Sequence, residues 1–204
     1  MAVLHTVAVK ATNPGGRLFD GISQNETRVN GEFGFLGAYA DNATYGVKDG
    51  QTQIKVFTVP ANTTQGNANF GRMPVVIMQP EMMYDDSRKS LLKLSLMEIP
   101  SQTPFTCVPL EEGDKFDITA DALFKNGGAP AEGADFDVAK CYTLVDGQSH
   151  LRLTGNGLAP VQNGQVYFEI VKVKDAHARS ARIGGTFQND NYKLYTLEVK
   201  VVRN

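Results

Sequence analysis

The chain has 204 residues, 42% hydrophobic and 21% charged, and its 20 basic and 22 acidic residues give a net charge of −2. That length suits one large β domain or two small ones, and it can bury enough surface to fold without a metal or disulfide staple. No Lys/Arg run exceeds Arg88-Lys89, which excludes the basic footprint of a nucleic-acid binder, and apolar runs such as Pro74 to Met78 are too short to cross a membrane.

Period-2 alternation of polar and apolar residues recurs along the chain and helical periodicity is scarce, so the expected class is all-β. Val3 to Val9 reads as a first strand, broken by Asn13-Pro14-Gly15-Gly16. The first ten residues lack a basic segment followed by an apolar core, so they are not expected to be a secretory signal. In Gly31-Glu32-Phe33-Gly34-Phe35-Leu36-Gly37 the glycines recur at every third position, which is not the spacing of a nucleotide-binding turn. It reads as an irregular strand or loop where backbones approach closely. Ile54 to Val59 and Val75 to Met78 are further strands, ended by Pro60 and Pro80. Asp85 to Leu92, with Asp85, Asp86 and Ser87 as caps, is the one good helix candidate, and Leu92 to Leu96 alternates as a strand. A boundary falls near Pro100 to Pro104. It divides an N-terminal arm or small β domain, residues 1–100, from a C-terminal β-barrel or β-sandwich domain, residues 101–204.

The C-terminal half carries an internal echo. Glu112-Gly113-Asp114-Lys115-Phe116-Asp117-Ile118 is repeated as Glu132-Gly133-Ala134-Asp135-Phe136-Asp137-Val138, each read as a Gly-containing turn entering a strand. Cys141 to Val145 and His150 to Leu153 are strands expected to join through an Asp146-Gly147 hairpin turn. Gln165 to Val173 and Tyr192 to Val202 are the longest strands. The stretch between them, Lys174 to Asp190, exceeds the usual connection length and is a candidate contact arm, as a long loop or ribbon tip.

Residues able to carry chemistry are scattered. His5, His150 and His177 have no second His or Cys at ligand spacing, and neither a nucleophile elbow nor a phosphate-binding loop is present. The carboxylate pairs Asp85-Asp86, Asp114/Asp117 and Asp135/Asp137 could serve a glycosidase, but the last two belong to a solvated turn-strand face. Cys107 and Cys141 read as small buried apolar side chains, with a bridge between them left open. The sequons at Asn25, Asn42 and Asn62 mark loops. Pro80 to Tyr84 suits either an adaptable contact surface or the core, and Tyr39, Tyr45 and Tyr84 remain as platforms for a sugar in a chain without Trp. The expectation is a non-enzymatic protein with no catalytic, cofactor-binding or metal-binding residue.

The strands from Phe105 to Asn204, the two Glu-Gly-x-x-Phe-Asp units and the closing strand Tyr192 to Val202 resemble the small β-barrel decoration, or cement, proteins of tailed-phage heads. The resemblance implies a virion structural protein that binds the major capsid protein, stabilises the shell and trimerises. It implies no catalytic residues, and places the protein in the virion after synthesis in the host cytoplasm. Two other readings stand beside it: a tail or head-tail junction protein, and a carbohydrate- or surface-binding β-sandwich module.

Overall fold

The computed structural model describes residues 7–10, 18–46, 53–78, 98–119, 122–160, 162–178, 182–183, 186–187 and 193–203. His5, the helix expected over Asp85 to Leu92, the strand from Leu92 and the Pro80 to Tyr84 run lie outside these residues. The described part is nearly all β, as the alternation predicts.

Five strands close into a barrel. In chain order they are β2 (Phe19–Ile22), β4 (Phe33–Tyr39), β5 (Lys55–Thr58), β6 (Val75–Ile77) and β8 (Phe105–Pro109), arranged β2-β5-β4-β6-β8 and closed on β2. Only the β2–β5 pair is parallel. So small a barrel is filled by side chains: Leu36, Phe57, Val75, Ile77, Phe105 and Cys107 form its core. Glycine makes room for the rings. A Cβ on Gly21 would lie 2.8 Å from the Phe105 ring, and one on Gly34 would lie 2.5 Å from the Thr58 carbonyl and press into the Phe57 ring. The close backbone approach read from the Gly31–Gly37 stretch is therefore present, and a bulge between Leu36 and Tyr39 supplies the irregularity. Two short strands, β3 (Arg28–Val29) and β7 (Glu98–Ile99), pair beside the barrel. A single helical turn, α1 (Asn42–Tyr45), sits between β4 and β5. Asp41 caps it through the Thr44 amide at 2.7 Å, and Gly46 ends it at φ 63°.

The second layer is a seven-stranded open sheet. It comprises β1 (Val7–Lys10), β9 (Lys115–Thr119), β10 (Leu123–Phe124), β11 (Cys141–Leu144), β12 (Leu151–Leu153), β13 (Val166–Ala178) and β16 (Lys193–Arg203), in the order β1-β9-β16-β13-β11-β12-β10. Its inward positions follow the pleat: Phe116 and Ile118, then Phe168 and Ile170, then Leu197, Val199 and Val201. A two-stranded tip, β14 (Arg182–Ile183) and β15 (Thr186–Phe187), lies between β13 and β16.

Barrel and sheet share one core. Phe33 of β4, fully buried, lies 5.9 Å from the Phe116 ring and 5.4 Å from the Phe168 ring, and those two rings are 6.1 Å apart. Val76, Val108 and Leu110 from the barrel side join the same cluster. The segment expected as a boundary, Pro100 to Pro104, is followed by β8, which completes the barrel, whereas β1 pairs with β9 in the sheet. Each layer thus takes one strand from the other side of residue 100.

The two echoed units diverge. Glu111 to Asp114 forms a turn and leads into β9 as expected, but Gly133–Phe136 is a 3-10 helix, not a strand. The turns share a lock: the Asp114 carboxylate accepts the Glu111 amide at 2.7 Å, and the Asp135 carboxylate accepts the Glu132 amide at 3.0 Å. Lys125 pairs with Glu132 and Asp135, at 2.7 and 3.6 Å, beside this second turn. Phe116 and Phe136 still reach the same core. β11 and β12 form the expected hairpin, but Val145 to His150 connects them. Gly147 has φ 76° while Asp146 is not in the left-handed region, so the two-residue mirror-image turn cannot form.

Candidate docking surfaces

The described members of the acidic pairs weighed as sites sit in separate local settings. Asp114 and Asp135 are occupied in locking turns, Asp117 lies on the polar face of β9, and Asp137 is exposed at the end of the 3-10 helix. Asp85 and Asp86 lie outside the described residues. Cys107 and Cys141 are buried free thiols, so the bridge left open by the sequence is not formed. Burial, with Asp20 adding to it, pushes the Cys107 thiol far up; burial, with Glu169, pushes Cys141 up to about 11. Neither is a thiolate near neutral pH. His150 stacks on Phe124 with ring centres 3.8 Å apart, and burial, together with Arg152, holds it below its usual range. His177 lies on β13 opposite Leu194. Asn25 and Asn62 are exposed and lie outside helix and strand, in keeping with the loop reading, whereas Asn42, also exposed, opens the helical turn α1.

A buried polar cluster holds barrel to sheet. Arg28 is 8% exposed; its Nε donates to the Ser23 hydroxyl at 3.2 Å, its guanidinium lies 5.4 Å from the centre of the Phe57 ring, and it pairs with Glu26 and Glu32. Glu32 is 12% exposed, 3.5 Å from Arg28, and hydrogen bonds Ser149 across the seam. The Phe33 amide adds a main-chain bond to the Ser149 carbonyl at 2.8 Å. Burial raises the Glu32 carboxyl above its ordinary range, and Arg28 opposes that shift without cancelling it. These groups fasten two layers together.

A groove of about 370 Å³ runs along the same seam, between the loop after Pro60 and the β11–β12 connection. Its walls are stitched by the Gly147 amide on the Pro60 carbonyl at 2.8 Å and by Thr63, which donates to Asp146 from both its amide and its hydroxyl. Those Thr63 bonds hold the Asp146 carboxyl below its usual range. The Asp146 side chain is thereby committed to structure.

The two longest strands form a ribbon with an uncovered edge. β13 has 13 residues and β16 has 11, and they pair from Val166↔Arg203 out to Ala178↔Lys193. β11 covers only Phe168 and Glu169 of β13, and β9 reaches only to Thr196 of β16. From Val171 to Ala178, β13 therefore has no strand on its outer side among the described residues, and the far end of the hairpin projects beyond the sheet. Two bulges interrupt it, between Ile170 and Lys172 and between Lys174 and His177. The first shifts the parity of the strand, so that Val173, 37% exposed, stands opposite buried Leu197. Bulges and lysines are the devices by which free edges avoid indiscriminate pairing. Of the two forms expected for Lys174 to Asp190, long loop or ribbon tip, the described residues show the ribbon, with β13 continuing through Ala178.

One further surface contains Tyr39, one of the tyrosines read as a sugar platform, together with residues that the sequence reading does not single out. On the rim of the barrel, the Lys55 ammonium lies 5.1 Å from the Phe19 ring centre and 5.5 Å from that of Tyr39, and Leu18 and Tyr39 are each more than 60% exposed. No family model matches the chain, and no curated protein or solved structure matches it either.

Proposed function

We propose that the protein is a non-enzymatic virion structural protein that decorates and stabilises a capsid shell, with the major capsid protein as its main partner and further copies of itself as neighbours. The observation that carries this reading is the projecting ribbon with its uncovered β13 edge. A strand edge offers main-chain donors and acceptors in register, so an extended segment of another protein adds to it. Repetition over a symmetric shell then multiplies a modest contact into firm attachment. Charge supports the same use. Residues 172–193 carry Lys172, Lys174, Arg179, Arg182 and Lys193 against Asp175 and Asp190, a net +3, in a chain whose total is −2. The rest of the chain is therefore −5, and the ribbon suits an acidic protein surface. The resemblance of Phe105 to Asn204 to head decoration proteins supports the capsid as the place where that surface is found.

Replacing residues 175–195 by Asn-Gly tests the reading, because Lys174 and Thr196 are paired partners that a two-residue turn can join. Co-sedimentation with empty shells of the major capsid protein should carry down the full chain and leave the trimmed one in solution. Binding of the full chain should weaken as salt rises, because screening shortens the reach of the ribbon's charge. Equal pelleting of both forms, or no pelleting of the full chain, would refute the proposal.

A further inference from the structure

We infer that the groove at the seam binds an uncharged saccharide, a role that depends neither on the ribbon nor on the capsid reading. Three segments distant in the chain wall it. The loop after Pro60 brings Thr64 and Gln65, the end of β11 brings Thr143, and the turn leading into β13 brings Gln162 and Gln165. Gln65 and Gln162 are exposed, and Thr143 and Gln165 are half-buried. Among the described residues none of these four side chains has a hydrogen-bond partner. The Thr64 hydroxyl accepts from the Asn67 side chain and keeps its own hydrogen to donate.

The walls are set before a ligand arrives. Asn69 donates from its amide to the Asn62 carbonyl at 3.2 Å and from its side chain to the Ala61 carbonyl at 2.7 Å, so the loop is tied to itself. Gly71 stands so close to the Gly164 carbonyl that a Cβ would collide with it, which seats the loop on the turn carrying Gln162 and Gln165. Arg203 donates to the Gly71 carbonyl at 2.8 Å, and Thr63 and Gly147 hold the other side. A hollow braced in this way loses little freedom when it is filled, and small ligands bind mostly in such preformed sites.

The lining selects the ligand. Among the described residues no Lys, Arg or His lines the groove, so an anion finds no counter-charge, and its one acid, Asp146, is already engaged by Thr63. No aromatic ring lines it either, so a flat base has nothing to stack on. Each glutamine amide and each threonine hydroxyl both donates and accepts, as every sugar hydroxyl does. Leu144 and Val145 add apolar surface for the C–H face of a ring. At about 370 Å³ the groove lies at the small end of ligand sites, the size for a mono- or disaccharide.

Nuclear magnetic resonance on the isotope-labelled full chain, titrated in turn with glucose, galactose, mannose, maltose and lactose, tests the assignment. At least one of these sugars should shift the side-chain amide signals of Gln65, Gln162 and Gln165 to saturation, and its phosphorylated form should bind more weakly. Replacing two exposed side chains together, Gln65→Ala with Gln162→Ala, should lower the affinity about tenfold, the scale of one or two lost hydrogen bonds. The circular dichroism spectrum should stay as in the wild type, which separates lost binding from lost fold. Four results would each overturn the inference: no saturable shift with any of these sugars, shifts centred away from the groove, tighter binding of the phosphorylated form, or a double variant that binds as the wild type does.

Discussion

Glu32 shows how a residue reveals its environment through its proton. Its carboxyl is buried at the seam, and desolvation raises it above the ordinary 4.5 even though Arg28 pulls it down. The folded protein therefore binds a proton at this position more tightly than the unfolded chain does. The sign follows by linkage. Glu32's contribution is fully present below 4.5, where both states are protonated, and it is lost as pH rises through the higher folded value. Gln at this position cannot titrate. In urea unfolding at a series of pH values, the stability of the wild type relative to Glu32→Gln should grow as the solution is acidified from neutrality toward that limit. A difference that shrinks on acidification would mean that the Arg28 pair outweighs burial. Nothing in the sequence marks this pair. Arg28 and Glu32 are four residues apart, the spacing of a helical salt bridge, yet the chain turns between a strand and a barrel stave, and Ser149 completes the cluster from far along the chain.

At the scale of elements, strands were legible wherever one face is buried, because the pleat then writes itself as alternation. Leu197, Val199 and Val201 face the core with Glu198 and Lys200 between them, and so the Tyr192 to Val202 reading fell on β16. Alternation does not say where a turn gives way to a coil. The echoed units share their phenylalanine and a similar turn, but the second continues into a 3-10 helix in which Lys125 pairs with Glu132 and Asp135, a contact no local pattern discloses. Of the rim, the sequence singles out Tyr39 alone, since its parts come from three strands. The Gly31–Gly37 stretch reads better, because glycine between aromatic residues has few purposes, and β4 tests it directly. Gly34→Ala places a methyl group against the Thr58 carbonyl and the Phe57 ring, and backbone cannot give way as a side chain's end does. It should cost about 1–3 kcal/mol, as overpacking does. Gly37→Ala meets only the Val56 carbonyl, at an ordinary 3.6 Å, and should cost much less. Chemical denaturation of the two variants checks the order, and equal losses would mean that strand flexibility, and not space, is what these glycines provide.

For the whole molecule, the question is whether a barrel and a sheet make one folding unit or two. Pro100 to Pro104 suggested a division, because proline-rich segments usually separate domains. The packing opposes it. β8 follows that segment yet closes the barrel, β1 crosses to the sheet, and Phe33 sets its ring against Phe116 and Phe168 on the other layer. A core shared in this way cannot be lost by one layer alone without exposing the apolar face of the other. Phe33→Ala should therefore cost about 3–5 kcal/mol and should lower hydrogen-exchange protection in β4 and β6 by the same amount as in β9 and β16. Loss confined to the barrel strands would show that the sheet stands on its own. Equal loss has a consequence for the ribbon as well: β13 and β16 would then be anchored in the full stability of both layers, so force on the projecting end would have to unfold the whole body before it could pull the arm free.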